Sequence, residues 1–590
     1  MTSDVSPSPV AALRAVWGAL TAPGAPFEMT DLQVNGVPIR VFKSAPTTMR
    51  DFWLMGAARE ADRTLTYLVF EDERYSFADV GADVRSLAHA LRHEYRVNQG
   101  DRVAIAMRNY PEWVTAYWAT LSIGACVVGM NAWWTPAEMQ YGLVDSSPKV
   151  LIADDERLER VGQVLTSIRA EAPLAIIGVR SNRNDGALAD SRAWSEVVDR
   201  ASAPATLPDA TIDPNDDACI FYTSGTTGFP KGAQLTHRGC VNNVFNIVFW
   251  AAASAAAIAS ENPGLPAAAP TPGTPAPQAV FMAPTPLFHV TANNCILHPG
   301  TLGGAKVVFM YKWDAGRALE LIEREGVTNF SGVPTMSREL LAHPDWQTRD
   351  TSTMVGLGGG GAPVQPDLVG KIGKSLEGRG APSTGYGLTE THGIVTANGS
   401  AFFLDKPASC GPVMPTFDAE LRDVDGAVVP SGGEGRGVLW VRGSGVIKGY
   451  LNRPEATAEA IQDGWFNTGD IAQVDADGFV YIVDRAKDMV LRGGENVYCS
   501  EVETAIYQHP DVVEAAVFGV PDERLGEAVA AGILLQPGST LDQAGLHRFL
   551  STTLAAYKIP SQMWFLDEAI PRNANGKLVK RELRAKLLQG

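Results

Sequence analysis

The chain has 590 residues, of which 45% are hydrophobic and 19% charged, and its formal net charge at pH 7 is −17. This composition indicates a globular protein rather than a disordered one, and the length predicts several domain-sized units. The negative charge argues against nucleic acid as a partner, because a phosphate backbone binds to positive surfaces. Small anions held in a local positive pocket remain compatible with it.

The N-terminal residues lack the basic start of a signal peptide, and six cysteines are scattered without metal-ligand spacing. We therefore expect reduced thiols in a cytoplasmic protein. Two uncharged runs, 113–137 and 239–260, are long enough to span a membrane. Glycines divide the first into a buried helix and a strand, and asparagines in the second suit a core helix. No transmembrane segment is therefore predicted, and weak membrane association stays open.

Apolar strand-like runs alternate with helical ones through most of the chain, as in Arg102–Met107, the helix from Glu112, and Val150–Ala153. This alternation predicts parallel sheets covered by helices. After about Asp418 the pattern changes to short strands with glycine turns, and the last hundred or so residues form a further α+β unit.

The predicted fold class is therefore α/β with two domains. Residues 1–485 form a large N-terminal domain of mixed, mainly parallel sheets flanked by helices. It includes a small β-rich subdomain at about 418–484. Residues 486–590 form a small α+β C-terminal domain.

A phosphate-binding loop is predicted at 223–232, which reads TSGTTGFPKG. Its glycines let the backbone approach an anion, and its hydroxyl groups supply donors. It is not a Walker A motif, because Pro230 and Gly232 stand where that motif needs Gly and Ser or Thr. A flexible surface turn is the alternative, but the apolar run before the loop favours a phosphate site. The candidate ligand-binding residues are Thr223, Ser224, Gly225, Thr226, Thr227, Gly228 and Lys231.

An Ala/Pro-rich stretch, 262–278, has no periodicity and predicts an exposed, semi-rigid loop. Further on, 356–361 contains a GxGxxG pattern. Pro363 and Pro366 are unfavourable to the helix that a dinucleotide site needs, so a dehydrogenase is a remote alternative.

The next two motifs contain acidic residues. The segment 383–390 reads STGYGLTE and ends in Glu390; by itself it could be a turn followed by a helix start. Asp470 and Arg485 lie further along the chain. A carboxylate can accept hydrogen bonds from both hydroxyls of a ribose, and arginine can join it with its fork of donors. A surface ion pair is the alternative for these two residues.

The loop at 223–232 resembles the phosphate loop of the adenylate-forming superfamily, which contains acyl- and aryl-CoA synthetases, luciferases and the adenylation domains of peptide synthetases. In all, six motifs that resemble those of this superfamily occur in the superfamily's order between about Glu71 and Leu578. The chain is most similar to fatty-acid or aryl acid–CoA ligases. The resemblance implies ATP and CoA as cosubstrates, Mg²⁺ as the metal, and a C-terminal domain that moves.

The resemblance also implies roles for single residues of the nucleotide site. Tyr386 would stack near the adenine, Thr389 would contact the α-phosphate, and Glu390 would bind Mg²⁺. Asp470 and Arg485 would hold the ribose. The other residues that it places at the nucleotide are Gly361, Ala362, Thr384, Gly385 and Gly387.

For the acyl group and CoA, the resemblance places His289 beside the carboxylate, Lys487 at the pivot, and Lys577 as the catalytic lysine. Gly493 and Gly494 would line the pantetheine tunnel. Amino-acid-activating members carry an aspartate near His289, and this chain has none there. The implied substrate is a monocarboxylic acid without an amino group, among apolar residues such as Val290 and Val333.

The sequence thus predicts an ATP-dependent, AMP-forming acid–CoA ligase for a fatty or other apolar acid. Transfer of the acyl group to a carrier protein is the nearest alternative, and a non-enzymatic nucleotide-binding relative is another. The acid, the pathway and the oligomeric state stay open, and a homodimer is compatible with the sequence.

Overall fold

The computed structural model describes residues 9–62, 64–223, 229–261, 277–376, 378–493, 495–573 and 576–589. Most of the Ala/Pro-rich stretch lies outside the described residues, as do these predicted ligand-binding residues: Ser224, Gly225, Thr226, Thr227, Gly228 and Gly494. The described part is an α/β protein with four main sheets and an N-terminal hairpin, Met29–Val34 and Val37–Phe42. The predicted fold class is confirmed.

The first main sheet has seven strands and lies in the first half of the chain. From edge to edge its strands are Lys231–Thr236, Asp217–Thr223, Cys126–Gly129, Arg102–Ala106, Val150–Asp154, Ala175–Val179 and Arg192–Ala193. The first two strands form an antiparallel hairpin, and all other neighbours are parallel. Runs of Val, Ile and Ala are typical of strands that are buried on both faces.

The second main sheet has eight strands, parallel in its centre and antiparallel at both edges. Its strands are, in order, Gly393–Gly399, Ala381–Leu388, Gly356–Gly360, Asn329–Gly332, Val280–Ala283, Lys306–Phe309, Thr66–Phe70 and Glu73–Ser76. A Cβ atom on Gly358 or Gly359 would overlap the neighbouring backbone of Ser383 or Gly332. The glycines of the GxGxxG pattern therefore allow close strand packing.

The core of the large domain joins these two sheets. One buried cluster contains Val103 of the first sheet, Val307 of the second sheet and Trp118 of the helix Pro111–Ser122. This helix begins with proline in its first turn and is buried along its whole length. The strand Cys126–Gly129 follows it, so the predicted division of the run 113–137 is confirmed.

The helix His237–Glu261 contains the second uncharged run. Among the described residues it is the one helix that is long and apolar enough to cross a membrane, and core helices of globular proteins meet the same criterion. Asn242, Asn243 and Asn246 are buried on it and hydrogen-bond to other parts of the protein. It packs as a core helix, as predicted.

The third sheet is antiparallel and corresponds to the predicted β-rich subdomain. Its strands are Gly411–Pro412, Phe479–Arg485, Trp465–Val474, Arg436–Gly443, Phe417–Arg422 and Val428–Val429, with Ile461–Gln462 beside Trp465–Val474. The fourth sheet contains Glu495–Val497, Val490–Arg492, Gly526–Leu535, Val512–Asp522 and Gln562–Leu566. The third sheet ends at Arg485 and the fourth begins near Val490, and the division into domains at this point stays a prediction.

The other α-helices connect the strands or end the chain. In the large domain they are Pro9–Thr21, Met49–Ala57, Phe77–His89, Pro136–Ser146, Asp155–Gly162, Leu165–Glu171, Trp194–Val197, Val290–Ala292, His298–Gly303, Ala315–Glu325, Pro334–Ala342, Pro366–Ser375, Ser400–Asp405 and Pro454–Ala460. In the small domain they are Cys499–Tyr507, Gln543–Leu550 and Lys580–Gln589.

Candidate active site

The predicted ribose ligands meet where two strands of the third sheet pair. Asp470 and Arg485 are opposite each other in the register, and Asp470 Oδ1 lies 3.2 Å from Arg485 Nε. The hydroxyl of Tyr386 donates a hydrogen bond of 2.7 Å to Asp470 Oδ2. The structure thus joins three residues from two predicted motifs into one group, and both oxygens of Asp470 are held in place.

The side chain of Asp470 is 6% exposed and that of Arg485 is 48% exposed, so the pair joins a buried carboxylate to an arginine that solvent reaches. Burial raises the pKa of the Asp470 carboxyl, against the lowering effects of Arg485, Tyr386 and Lys577. Positive groups from both domains therefore converge on this carboxylate.

The strand Ala381–Leu388 carries the other predicted nucleotide residues. Thr384 and Gly385 pair in parallel register with Gly359 and Gly360. Gly387 lies on the same strand, where a Cβ atom would overlap the backbone of Gly393. Gly361 and Ala362 follow the neighbouring strand, so these predicted residues occupy adjacent positions near the carboxyl ends of two neighbouring strands of the second sheet.

Thr389 and Glu390 lie in a short 3-10 turn, Thr389–Thr391, that directly follows this strand. The hydroxyl of Tyr450 donates a hydrogen bond of 2.9 Å to Glu390 Oε1. The N–H of Ile447 donates to the Glu390 carbonyl at 3.1 Å. The segment around Tyr450 therefore holds both the backbone and the side chain of Glu390.

His392 fixes the end of the same turn. Its Nε2 accepts a hydrogen bond of 2.8 Å from the Thr236 N–H, and its Nδ1 donates one of 2.6 Å to the Gly445 carbonyl. Burial lowers the pKa of His392 to about 4, so the ring is neutral near pH 7. A Cβ atom on Gly239 would overlap this ring, which explains the glycine there.

The two ends of the predicted phosphate loop are close to this turn. Thr223 and Lys231 pair with each other where the hairpin of the first sheet opens. The residues between them that were predicted to bind phosphate, 224–228, lie outside the described part of the chain. The ammonium of Lys231 lies 5.0 Å from the centre of the Tyr450 ring. Tyr450 therefore contacts both Lys231 and Glu390.

As a metal ligand, Glu390 would act together with the substrate. Among the described residues there is no group of three or more His, Cys, Asp or Glu side chains that could hold a metal ion. Mg²⁺ is commonly held by one or two carboxylates together with substrate phosphates and water. A single carboxylate beside a lysine and a predicted phosphate loop fits a magnesium ion that arrives with ATP.

Lys577 reaches this site from a small hairpin of the C-terminal domain. Arg572 and Leu578 form a bridge, and the Lys577 N–H donates to Asn573 Oδ1 at 3.0 Å. A Cβ atom on Gly361 would lie 3.3 Å from Lys577 Cε and 3.9 Å from both Lys577 Nζ and Thr291 Oγ1. The amine of Lys577 is thus next to the carboxyl end of the strand Gly356–Gly360.

The pKa of Lys577 is lowered by burial and by Arg485, while Asp470 and Glu390 act to raise it. The groups that influence this amine are therefore the predicted ribose pair and the predicted metal ligand. They lie in motifs far apart in the sequence, and the fold brings them together with the C-terminal lysine.

His289, which is predicted to lie beside the substrate carboxylate, is near Lys577. Burial and the nearby Lys577 lower the pKa of His289 to about 3, so its ring is neutral near pH 7. Val290 follows it and is buried, as is Val333. A Cβ atom on Gly576 would lie 3.1 Å from Val333, so the Lys577 hairpin packs against this valine.

The predicted pivot and tunnel residues lie elsewhere. Lys487 is exposed in the turn after Arg485, and burial of part of its stem together with Arg485 lowers its pKa. Gly493 has a φ of 60°, and its nearest neighbour for a Cβ atom is Leu525 of the small domain. In this structure the small domain presents Lys577 to the site and keeps Gly493 within itself, while Gly494 lies outside the described residues.

Comparison with known proteins covers almost the whole chain. The sequence model of the AMP-binding enzyme family matches residues 55–451, and that of the AMP-binding enzyme C-terminal domain matches residues 501–577. A feruloyl-CoA synthase from Amycolatopsis sp is 36% identical over 511 residues, which are 86% of this chain and 93% of that protein. A long-chain-fatty-acid–CoA ligase from Bacillus subtilis is 31% identical over 91% of this chain and 94% of its own.

A solved structure supports the same relationship. The ATP-bound MatB from Rhodopseudomonas palustris superposes with a TM-score of 0.76 at 28% identity. The superposition covers 91% of this chain and 98% of that one. The similarity therefore extends over both the large and the small domain.

Proposed function

The chain belongs to the AMP-binding enzyme family of AMP-forming acid–thiol ligases, and on this premise we propose that it activates an apolar monocarboxylic acid, fatty or aryl, and transfers it to CoA. The observation that carries the proposal is the position of Lys577. Its amine lies beside Gly361 and within electrostatic reach of Asp470, Glu390 and Arg485. This is where a carboxylate and the phosphates of ATP would have to meet.

In the first half-reaction a carboxylate oxygen attacks the α-phosphorus of ATP, and pyrophosphate leaves. Two anions approach each other in this step, so a cation between them lowers the barrier. One charge at about 4 Å and an effective dielectric constant near 20 contributes roughly 4 kcal/mol before desolvation. Mg²⁺, held by Glu390 and phosphate oxygens, would neutralise further charge on the phosphates.

In the second half-reaction the sulfur of CoA attacks the acyl carbon, and AMP leaves. We propose that the small domain turns about Lys487 between the two steps, withdrawing Lys577 and bringing Gly493 to the site. The exposed position of Lys487 supports this, because the side chain can be solvated in both arrangements. Enclosure in each state would protect the acyl-adenylate from water.

The acyl side supports an apolar acid. Val290 and Val333 are buried there, and His289 is neutral near pH 7 because its pKa is lowered to about 3. The segment from His289 to Ala292 contains no carboxylate that could pair with an α-ammonium. An amino acid would leave its charge unpaired in this environment, which is costly.

A cytoplasmic location is part of the proposal. All six cysteines are free, and four of them are buried. Free thiols throughout a chain of this length are typical of a reducing compartment.

The test is a panel of acids assayed for pyrophosphate release with and without CoA, with acyl-CoA identified by mass. 3-Phenylpropanoate and phenylalanine are a matched pair, because they differ only by the α-amino group. We expect turnover with at least one apolar acid of the panel that lacks an amino group, and none with phenylalanine. Preference for the amino acid would contradict the proposed substrate class. Adenylate formation without any acyl-CoA product would favour a carrier protein as the acceptor.

A further inference from the structure

Tyr450 contacts the two residues that are predicted to handle the charge of ATP. The face of its ring lies 5.0 Å from the ammonium of Lys231, and its hydroxyl donates a hydrogen bond of 2.9 Å to Glu390 Oε1. The side chain is buried, with only 8% of its surface exposed. Its two ends therefore engage a cation and an anion at the same time.

The backbone fixes Tyr450 relative to the strand that begins with Lys231. Tyr450 forms an antiparallel bridge with Ala233, and the N–H of Leu451 donates to the Gly232 carbonyl at 2.8 Å. The N–H of Tyr450 itself donates to Thr457 Oγ1 at 2.9 Å. Tyr450 is thus attached to the Lys231 strand much as a further short strand would be.

The same segment is also attached to the turn of Glu390. The N–H of Ile447 donates to the Glu390 carbonyl at 3.1 Å. Both attachments are made by backbone groups. They therefore limit how far the Tyr450 ring can move relative to Lys231 or Glu390.

The two contacts have different physical effects. An ammonium over an aromatic ring is attracted to the negative face of the ring. A hydroxyl that donates to a carboxylate forms a charge-assisted hydrogen bond and leaves the second oxygen of the carboxylate for another ligand.

We propose that Tyr450 is a positioning residue that sets the relative placement of Lys231 and Glu390, so that the ammonium meets the phosphates while one oxygen of Glu390 remains directed to the magnesium ion. The ring orients the phosphate-binding cation and the hydroxyl orients the metal ligand. The inference rests on the proposed function of the site but does not depend on which acid is activated.

Two variants separate the two contacts. Tyr450→Phe keeps the ring and removes the hydroxyl, whereas Tyr450→Leu removes both. Binding of a non-hydrolysable ATP analogue is measured by calorimetry with and without Mg²⁺ and without any acid. The ratio of the two dissociation constants reports how strongly the metal and the nucleotide support each other.

For Tyr450→Phe we expect the advantage that Mg²⁺ gives to nucleotide binding to fall about tenfold, as for one charge-assisted hydrogen bond, while metal-free binding stays within about twofold. For Tyr450→Leu we expect metal-free binding to weaken as well. Tyr75→Phe is the matched control, because its hydroxyl also donates to a glutamate, Glu73, at 2.8 Å but outside the site. It should leave both constants unchanged.

An unchanged ratio for Tyr450→Phe would overturn the inference. So would an equal loss of binding with and without Mg²⁺, because that indicates general disruption of the site. If Tyr450→Leu does not fold, as judged by its melting curve, the Phe variant still decides. A failure of the acid panel would refute the proposed substrate class and leave this binding result intact.

Discussion

Two regions of the molecule are held in opposite ways. One is the nucleotide corner of the large domain, by which we mean Asp470 and Glu390 with the tyrosines that bind them; the other is the Lys577 hairpin of the small domain, which the bridge between Arg572 and Leu578 closes. In the corner, each carboxylate is bound by a tyrosine hydroxyl: Asp470 by Tyr386 and Glu390 by Tyr450. The hairpin is held by groups of the small domain, such as the bond from the Lys577 N–H to Asn573 and the ion pair of Arg572 with Glu514.

The hairpin contacts the large domain through small surfaces. Gly576 packs against Val333, and the Lys577 stem packs against Gly361. Such contacts can separate without leaving a buried polar group unpaired, whereas the corner cannot open without that cost. This difference agrees with our proposal that the corner serves every step in which the nucleotide is bound, and that the hairpin serves one.

Among the variants that test this comparison, we expect Lys577→Ala to have the largest effect. We expect adenylate formation to fall by roughly two to three orders of magnitude, because one preorganised charge is lost from a low-dielectric site. Thioester synthesis from supplied acyl-adenylate should remain within about twofold to threefold of wild type. The two half-reactions are measured separately, by pyrophosphate exchange and by acyl-CoA formation.

Two further variants make that result specific. Lys586→Ala removes an exposed lysine of the same domain and should change neither half-reaction. Asp470→Asn weakens the corner and should slow both. If Lys577→Ala also slowed both half-reactions equally, the distinction between a fixed nucleotide corner and a detachable Lys577 hairpin would be wrong.

Lys487→Pro tests whether the hairpin must leave. Proline fixes φ near −65° and restricts Ala486 before it, which opposes a large rotation at this point. Among the described residues none accepts a hydrogen bond from the Lys487 N–H, so within that part of the chain the substitution removes none. We expect adenylate formation to be kept and thioester formation to fall on the order of tenfold or more.

Lys487→Ala is the matched control for that experiment, because it removes the charge and keeps the backbone free. It should behave nearly as wild type in both half-reactions. Unchanged overall turnover of the proline variant would show that the pivot lies elsewhere.

The sequence points to the motif residues of this comparison, but not to the groups that hold them. The α/β class and the third sheet follow from periodicity and glycine turns, and Asp470, Arg485 and Lys577 stand in local motifs. Tyr450 was missed because its hydrogen bond to Glu390 spans 60 residues, and its only local signal is a Gly-Tyr pair. His392 was missed for the same reason, since its bond to Thr236 spans 156 residues.

The junction between the two regions contains a buried carboxylate, Asp484. It accepts hydrogen bonds from the N–H groups of Arg485, at 2.8 Å, and Cys499, which begins the first helix of the small domain. Lys580 and Glu503 of the small domain are nearby charges. Asp484 thereby connects the last strand of the third sheet to the domain that is proposed to move.

Asp484→Asn is the smallest predicted effect and concerns stability. Burial raises the pKa of Asp484 from 3.8 to about 6. A pKa above the unfolded value stabilises the fold at low pH, and this contribution is lost as the pH rises through about 6. Between pH 5 and pH 7 the loss is about 1 kcal/mol, and the asparagine variant should lack it. The measurement is the free energy of unfolding by urea at both pH values.

Asp522 provides a control of opposite sign in the same domain. It also accepts hydrogen bonds from two backbone N–H groups, those of Leu525 and Arg524, but at the surface, where they lower its pKa. Its contribution is present near neutral pH and is lost as the pH falls through the folded pKa, so Asp522→Asn should lower stability at pH 7. If the two asparagine substitutions removed pH dependences of the same sign, burial would not be what distinguishes the junction carboxylate from a surface one.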